Sequence, residues 1–144
     1  MRILVVEDEG SIFKMIKEQM NTNEYELVQV RSVSEATGEY NSSKVNNPFD
    51  CHIVDLQIGS KGLNEEKMVK FFYREGYAWI KEVLETLKTK EEKVAFKKKT
   101  IICSKYASDF MKEYTAEELK DFIIIPKKIG FETEVKKSVI RIRI

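Results

Sequence analysis

Four short apolar runs in this 144-residue chain end directly in residues able to do chemistry. Ile3-Leu4-Val5-Val6 leads into Glu7, Asp8 and Glu9, and Cys51-His52-Ile53-Val54 into Asp55. Thr100-Ile101-Ile102-Cys103 leads into Ser104 and Lys105, and Phe122-Ile123-Ile124-Ile125 into Pro126, Lys127 and Lys128. If these runs are parallel strands of one open sheet, their carboxyl ends share a rim, and ligands bind at such rims. Two carboxylates about 4 Å apart repel by roughly 4 kcal/mol at an effective dielectric near 20. Three together either push one acid toward protonation or demand a cation. A set of oxygen ligands suits a hard ion such as Mg²⁺. A carboxylate beside that ion can attack phosphorus to form an acyl phosphate, while a hydroxyl and an ammonium hold the phosphoryl oxygens.

The elements that must position these residues follow from hydrophobic spacing. Apolar runs alternate with helical patterns, which predicts a parallel sheet wrapped by helices. Ile12, Ile16 and Met20, with Phe13 beside them, mark an amphipathic first helix. Tyr25 to Val30 reads as an edge strand and Ser34 to Tyr40 as a short helix, followed by a turn-rich loop from Asn41 to Pro48. Asn64 is placed to cap a helix through Met68, Val69, Phe71 and Phe72, which Gly76 interrupts. A second helix then carries Ile80, Val83, Leu84 and Leu87. Lys88 to Lys99 reads as a solvated, charged extension. Ser108 is expected to cap a further helix, and Thr115-Ala116-Glu117-Glu118 has capping-box spacing. The tail fits either a helix (Val135, Val139, Ile142) or a strand (Ile140, Ile142, Ile144); the helix is the preferred reading.

Composition sets the class. Hydrophobic residues make up 42% of the chain, enough for one core, so residues 1–144 read as a single domain. Twenty-five Lys and Arg against 24 Asp and Glu argue against direct nucleic-acid binding. No apolar run spans a bilayer and the start is not a secretory signal, so a cytoplasmic location is expected. Two cysteines outside any CxxC pair and one histidine argue against a disulfide framework and a structural zinc site.

At these same residues the sequence resembles the receiver domains of two-component response regulators. Ile3 to Glu9 resembles their opening strand and acidic pair, Phe49 to Leu56 the strand bearing the phosphoacceptor, Thr100 to Ser104 the strand ending in the switch hydroxyl, and Asp121 to Pro126 the last strand. The resemblance implies a flavodoxin-like, doubly wound, five-stranded parallel sheet of order 2-1-3-4-5, here with an extended connection between strands three and four. It implies Asp55 as phosphoacceptor, Ser104 as phosphoryl-binding switch and Phe122 as switch aromatic. It implies Mg²⁺ held by Asp8, Asp55 and the backbone carbonyl of Gln57, with Glu7 assisting through water. The implied partners are a histidine kinase or phosphotransfer protein and a downstream protein, with homodimerisation left open. The implied role is a signalling switch, not an enzyme.

The sequence departs from this pattern in three places. Ile125 stands where the family has a lysine before the proline; Lys127 or Lys128 could reach back to replace it, and a cis Ile125–Pro126 bond would fit the family. Residues 60–74 read as an insertion, since Glu75-Gly76-Tyr77-Ala78-Trp79-Ile80 resembles the usual start of helix three. Lys105 replaces a small residue, where it could crowd the pocket or supply the missing charge. Plainer roles stay open for single residues. Asp8 also suits a helix-dipole partner, Phe122 plain core, and His52 a satisfied structural histidine. The alternative overall function is a phosphorylation-independent pseudo-receiver that binds protein. A Mg²⁺-dependent phosphohydrolase is a third reading, weakened by the want of a second acid to protonate a leaving group.

Overall fold

The computed structural model describes residues 1–58 and 65–143, with the side chains of 65–74 outside the description. The sheet has strands β1 (Arg2–Val6), β2 (Glu26–Val30), β3 (Cys51–Val54), β4 (Thr100–Ser104) and β5 (Ile123–Pro126). All neighbours are parallel, in the order β2-β1-β3-β4-β5. The expected topology is therefore present. Strands β1, β3 and β4 are buried from Leu4 to Val6, Cys51 to Val54 and Thr100 to Ser104, because helices cover both faces.

Period-two alternation divides the core. Ile3, Val5, Cys51, Ile53, Ile101 and Cys103 face helix α1 (Gly10–Gln19) and helix α7 (Phe131–Arg143), meeting Ile16, Met20, Val135 and Val139. Leu4, Val6, Val54 and Ile102 face the other layer, where Ala36, Trp79, Ile80, Phe96 and Phe110 pack. That layer comprises α2 (Val33–Ser43), α3 (Glu65–Thr86), α4 (Lys90–Lys98), α5 (Ala107–Glu113) and α6 (Ala116–Leu119). The tail is helical, as preferred from its spacing.

Several local expectations are corrected. Gly76 does not interrupt a helix: α3 runs unbroken from Glu65 to Thr86. Of the expected insertion, 60–64 lies outside the described residues, as does the proposed Asn64 cap, and 65–74 is the first part of α3. Residues 90–98 form a separate helix, capped where the Glu92 N–H donates to the Thr89 hydroxyl and anchored by buried Phe96. The charge-rich composition hid that single anchor. Helix α2 continues to Ser43, into the expected loop, from an N-cap at Ser32. Tyr106, not Ser108, precedes α5. The Thr115 hydroxyl accepts from the Glu118 N–H as predicted, but the Glu118 carboxylate turns away to the Tyr77 hydroxyl at 2.9 Å. Phe122 lies just before β5, buried in the core. Among the described residues there is no cis peptide bond, so Ile125–Pro126 is trans. No helix among them is long and apolar enough to cross a membrane.

Candidate functional site

The register brings the strand ends level. Val6 pairs with both Val30 and Val54, Val54 with Ile102, and Ser104 with Pro126. Beyond the ladder, the Glu7 N–H donates to the Val30 carbonyl at 3.0 Å and the Asp55 N–H to the Val6 carbonyl at 2.9 Å. These bonds extend the sheet by one residue and carry both acids to its rim. Carboxylate oxygens of Glu7, Asp8 and Asp55 lie within 4.8 Å of one another. The sequence-predicted acids are thus brought together.

Lys127 closes the cluster. Its Nζ donates to Glu7 Oε2 and to Asp55 Oδ2, both at 2.9 Å. The Lys127 N–H donates to the Ser104 carbonyl at 3.0 Å, which holds the chain beyond β5 against β4 and turns the side chain inward. A lysine after the proline thereby supplies the charge that Ile125 cannot. Lys128 and Lys105 do not: Lys105 is exposed, with its ammonium 5.2 Å from the Tyr106 ring centre.

The remaining valences are met by backbone. The Gln57 N–H donates to Asp55 Oδ1 and the Glu9 N–H to Glu7 Oε1, each at 3.1 Å. Gln29 Nε2 donates to the Glu7 carbonyl at 2.9 Å, and Arg31 Nη1 to the Asp8 carbonyl at 3.3 Å. The Ser104 hydroxyl is buried and accepts from the Tyr106 N–H at 3.1 Å. Gln57, Lys105 and Lys127 also line an open depression of about 590 Å³.

Burial dominates the electrostatics. Glu7 and Asp55 are only 3% and 5% exposed. Burial, and then the Asp55 charge, push Glu7 up to about 8 against the pull of Lys127. Asp55 is also raised by burial, with Lys127, the Gln57 N–H and the Glu7 side chain opposing. Burial works against the charged form of Lys127, but Asp55 and Glu7 outweigh it and raise its pKa. Burial thus works against the charge on both acids, and the Lys127 ammonium is what offsets it.

One positioning residue escaped the sequence reading. Gly76, in mid-helix α3, donates its N–H to the Leu56 carbonyl at 3.1 Å. A Cβ there would stand 2.2 Å from the Asp55 carbonyl oxygen and 2.8 Å from Leu56 Cα. Only a glycine lets α3 pass so close beneath the residue that leaves β3. The signal was present in the sequence, but a helix-interior glycine reads as a break when its neighbours in space are unknown.

The architecture is that of a doubly wound α/β protein, and the acidic rim, its candidate site, lies at the switch in strand order. Solved structures place that fold among response regulator receiver domains. The HemR receiver domain from Leptospira biflexa is 20% identical, with 98% of this chain and 92% of that chain covered and a TM-score of 0.63. Chemotaxis protein CheY4 from Vibrio cholerae is 17% identical, with 98% and 97% covered and a TM-score of 0.65. The response regulator Rcp1 in its Mn²⁺-bound form is 15% identical, with 96% and 88% covered and a TM-score of 0.62. No family model and no curated protein matches the sequence. The chain has the receiver fold.

Proposed function

We propose that this protein is a response regulator receiver that accepts a phosphoryl group on Asp55. The observation that carries this reading is the Lys127 ammonium, bonded to Asp55 and Glu7 at the rim where the sequence places the phosphoacceptor. In the proposed transfer, an Asp55 carboxylate oxygen bonds to phosphorus as the P–N bond of a donor phosphohistidine breaks, and the electron pair returns to the donor imidazole. Lys127 keeps Asp55 ionised before transfer and faces the phosphoryl oxygens after it. Ser104 contributes its hydroxyl by donating its O–H to a phosphoryl oxygen, while its oxygen goes on accepting from the Tyr106 N–H. Phe122, against Tyr77 at 6.1 Å between ring centres, is the proposed aromatic that reads this change.

The acids fit a divalent ion. Glu7, Asp8 and Asp55 supply hard oxygen donors within one ligand's reach of each other, and Rcp1 binds Mn²⁺ in the same fold. With the backbone carbonyl of Gln57 they are the proposed Mg²⁺ ligands. Bound there, Mg²⁺ would neutralise charge on the acids and on the transferring group. The proposed partners are a histidine kinase or phosphotransfer protein and a downstream protein, within the cytoplasm; the role is switching, and dimerisation is one route for the output.

Incubation of the full chain with Mg²⁺ and acetyl phosphate, followed by intact mass, tests the reading. A gain of one phosphoryl group that disappears in Asp55→Asn is expected. A second reading, the pseudo-receiver, is favoured by the same ion cluster, in which the Lys127 ammonium already occupies one oxygen of Asp55 and one of Glu7. No mass gain with acetyl phosphate, phosphoramidate or a phosphorylated kinase would support it and overturn the first.

A further inference from the structure

The two acids that follow β1 sit on a segment gripped from the end of β2. Just past the last paired residues, Val6 and Val30, the Glu7 N–H donates to the Val30 carbonyl at 3.0 Å. Two side chains then take the next two carbonyls. Gln29 Nε2 donates to the Glu7 carbonyl at 2.9 Å, and Arg31 Nη1 to the Asp8 carbonyl at 3.3 Å.

Local pattern does not call for this grip. Gln29 pairs with Val5 and alternates with Leu27, so it stands beside two apolar residues on the sheet face that α1 and α7 cover. A glutamine there gives up apolar burial for a hydrogen bond to a carbonyl 22 residues away in the chain. At the other end of the segment, Glu9 precedes α1 without a side-chain capping bond among the described residues. The entry to α1 is thus held from β2 where a local cap would ordinarily hold it.

The consequence is directional. A carbonyl bound to a fixed donor fixes the plane of its peptide group, and the two planes beside a Cα set the direction of its side chain. The peptide groups flanking the Asp8 Cα contain the Glu7 and Asp8 carbonyls, which Gln29 and Arg31 hold. Those flanking the Glu7 Cα contain the Glu7 N–H and the Glu7 carbonyl, held by Val30 and Gln29. Both carboxylates so aimed bring oxygens within 4.8 Å of each other and of Asp55.

From this geometry we infer that Gln29 and Arg31 are positioning residues for the divalent-ion site proposed above, acting through the Glu7 and Asp8 peptide groups without touching the ion. The inference rests on that site. Removing a group that orients a metal ligand weakens metal binding by about 10–100-fold. For Arg31 two effects have opposite sign: as a charge it repels Mg²⁺ and its loss would tighten binding, whereas loss of its hold on Asp8 weakens it.

Isothermal titration of the full chain with MgCl₂ tests the inference. Gln29→Met keeps the length of the side chain and removes the donor, and should weaken binding at least about tenfold. Arg31→Met should also weaken it, by at least about threefold after the opposing charge effect. Leu27→Val, a packing loss on the same face of β2, should leave affinity within about twofold, which separates positioning from general destabilisation. In the metal-free protein, amide NMR should show the Asp8 signal displaced in Gln29→Met and the Glu9 signal in Arg31→Met, since each amide shares a peptide group with the released carbonyl. Unchanged affinity in Gln29→Met, unchanged or tighter binding in Arg31→Met, or an equal loss in Leu27→Val would overturn the inference and leave the metal site standing. A natural chain that binds no Mg²⁺ up to about 20 mM would overturn the site and the inference together.

Discussion

The Lys127 ammonium lies 2.9 Å from Asp55 Oδ2, although 72 residues separate the two in the chain and a trans proline precedes the lysine. The same ammonium holds Glu7, so a single side chain balances two buried acids. Removing it has consequences for stability, for metal binding and for the acids themselves.

Lys127→Met leaves Glu7 and Asp55 buried without a counter-charge. Loss of one partner from a buried pair costs about 3–5 kcal/mol when the other stays charged, and less when it takes up a proton. The two acids can protonate, so the expected loss is about 1–2 kcal/mol near pH 6 and larger near pH 9. Urea unfolding at the two pH values checks this. Equal losses at both would mean that the acids do not share the lysine's charge.

At the proposed metal site Mg²⁺ would compete with the Lys127 ammonium for the same oxygens, so Lys127→Met should bind Mg²⁺ at least about tenfold more tightly than the natural chain. Asp8→Asn should weaken binding in both backgrounds. Isothermal titration with MgCl₂ and with EDTA-stripped protein measures the difference. If the acidic cluster is not the metal site, neither substitution will alter the isotherm.

Stability against pH should show a plateau with a fall on each side. Burial lowers the His52 pKa from 6.5 to about 3, so between those values the unfolded chain binds a proton that the folded chain does not, and stability is lost as pH falls. Glu7 does the reverse. Its raised pKa, from 4.5 to about 8, makes the folded chain hold the extra proton, so stability is lost as pH rises through that window. The two slopes, each about 1.4 kcal/mol per pH unit at most, oppose each other between about 4.5 and 6.5. Glu7→Gln should remove most of the alkaline fall and His52→Phe most of the acid one, as read from denaturation midpoints across pH 3 to 9.

Two glycine-to-alanine changes in helices should have opposite signs. Gly38, exposed in α2, has nothing within 4 Å of a built Cβ, so Gly38→Ala should stabilise by about 0.5–1 kcal/mol. Gly76→Ala drives a methyl into the backbone at Asp55 and Leu56, and should destabilise by about 1–3 kcal/mol while reducing any labelling of Asp55. Thermal melts of the pair, with labelling of Gly76→Ala by acetyl phosphate, separate a helix effect from displacement of the β3 end.

Much of this was legible in order along the chain. Short, mostly apolar runs such as Ile3–Val6 and Cys51–Val54, alternating with helical patterns, read as strands covered on both faces, so a parallel sheet and its acid-bearing carboxyl rim followed from local pattern. The cap at Thr115 followed from spacing, because it depends on residues within one turn, whereas the tail's spacing suited a helix or a strand and the helix was only the preferred reading. What the sequence left undecided depends on residues distant in the chain. Whether Lys127 or Lys128 would reach the acids depended on how the Ser104 carbonyl holds the segment after β5. Whether Gly76 breaks a helix or admits one to the end of β3 depended on a backbone 20 residues earlier, and whether His52 is satisfied depended on a hydroxyl 48 residues away that is already committed to Phe96. Local pattern specifies which faces must be buried; the partners that meet on those faces, and hence the charges and protons they share, are decided only when the layers close.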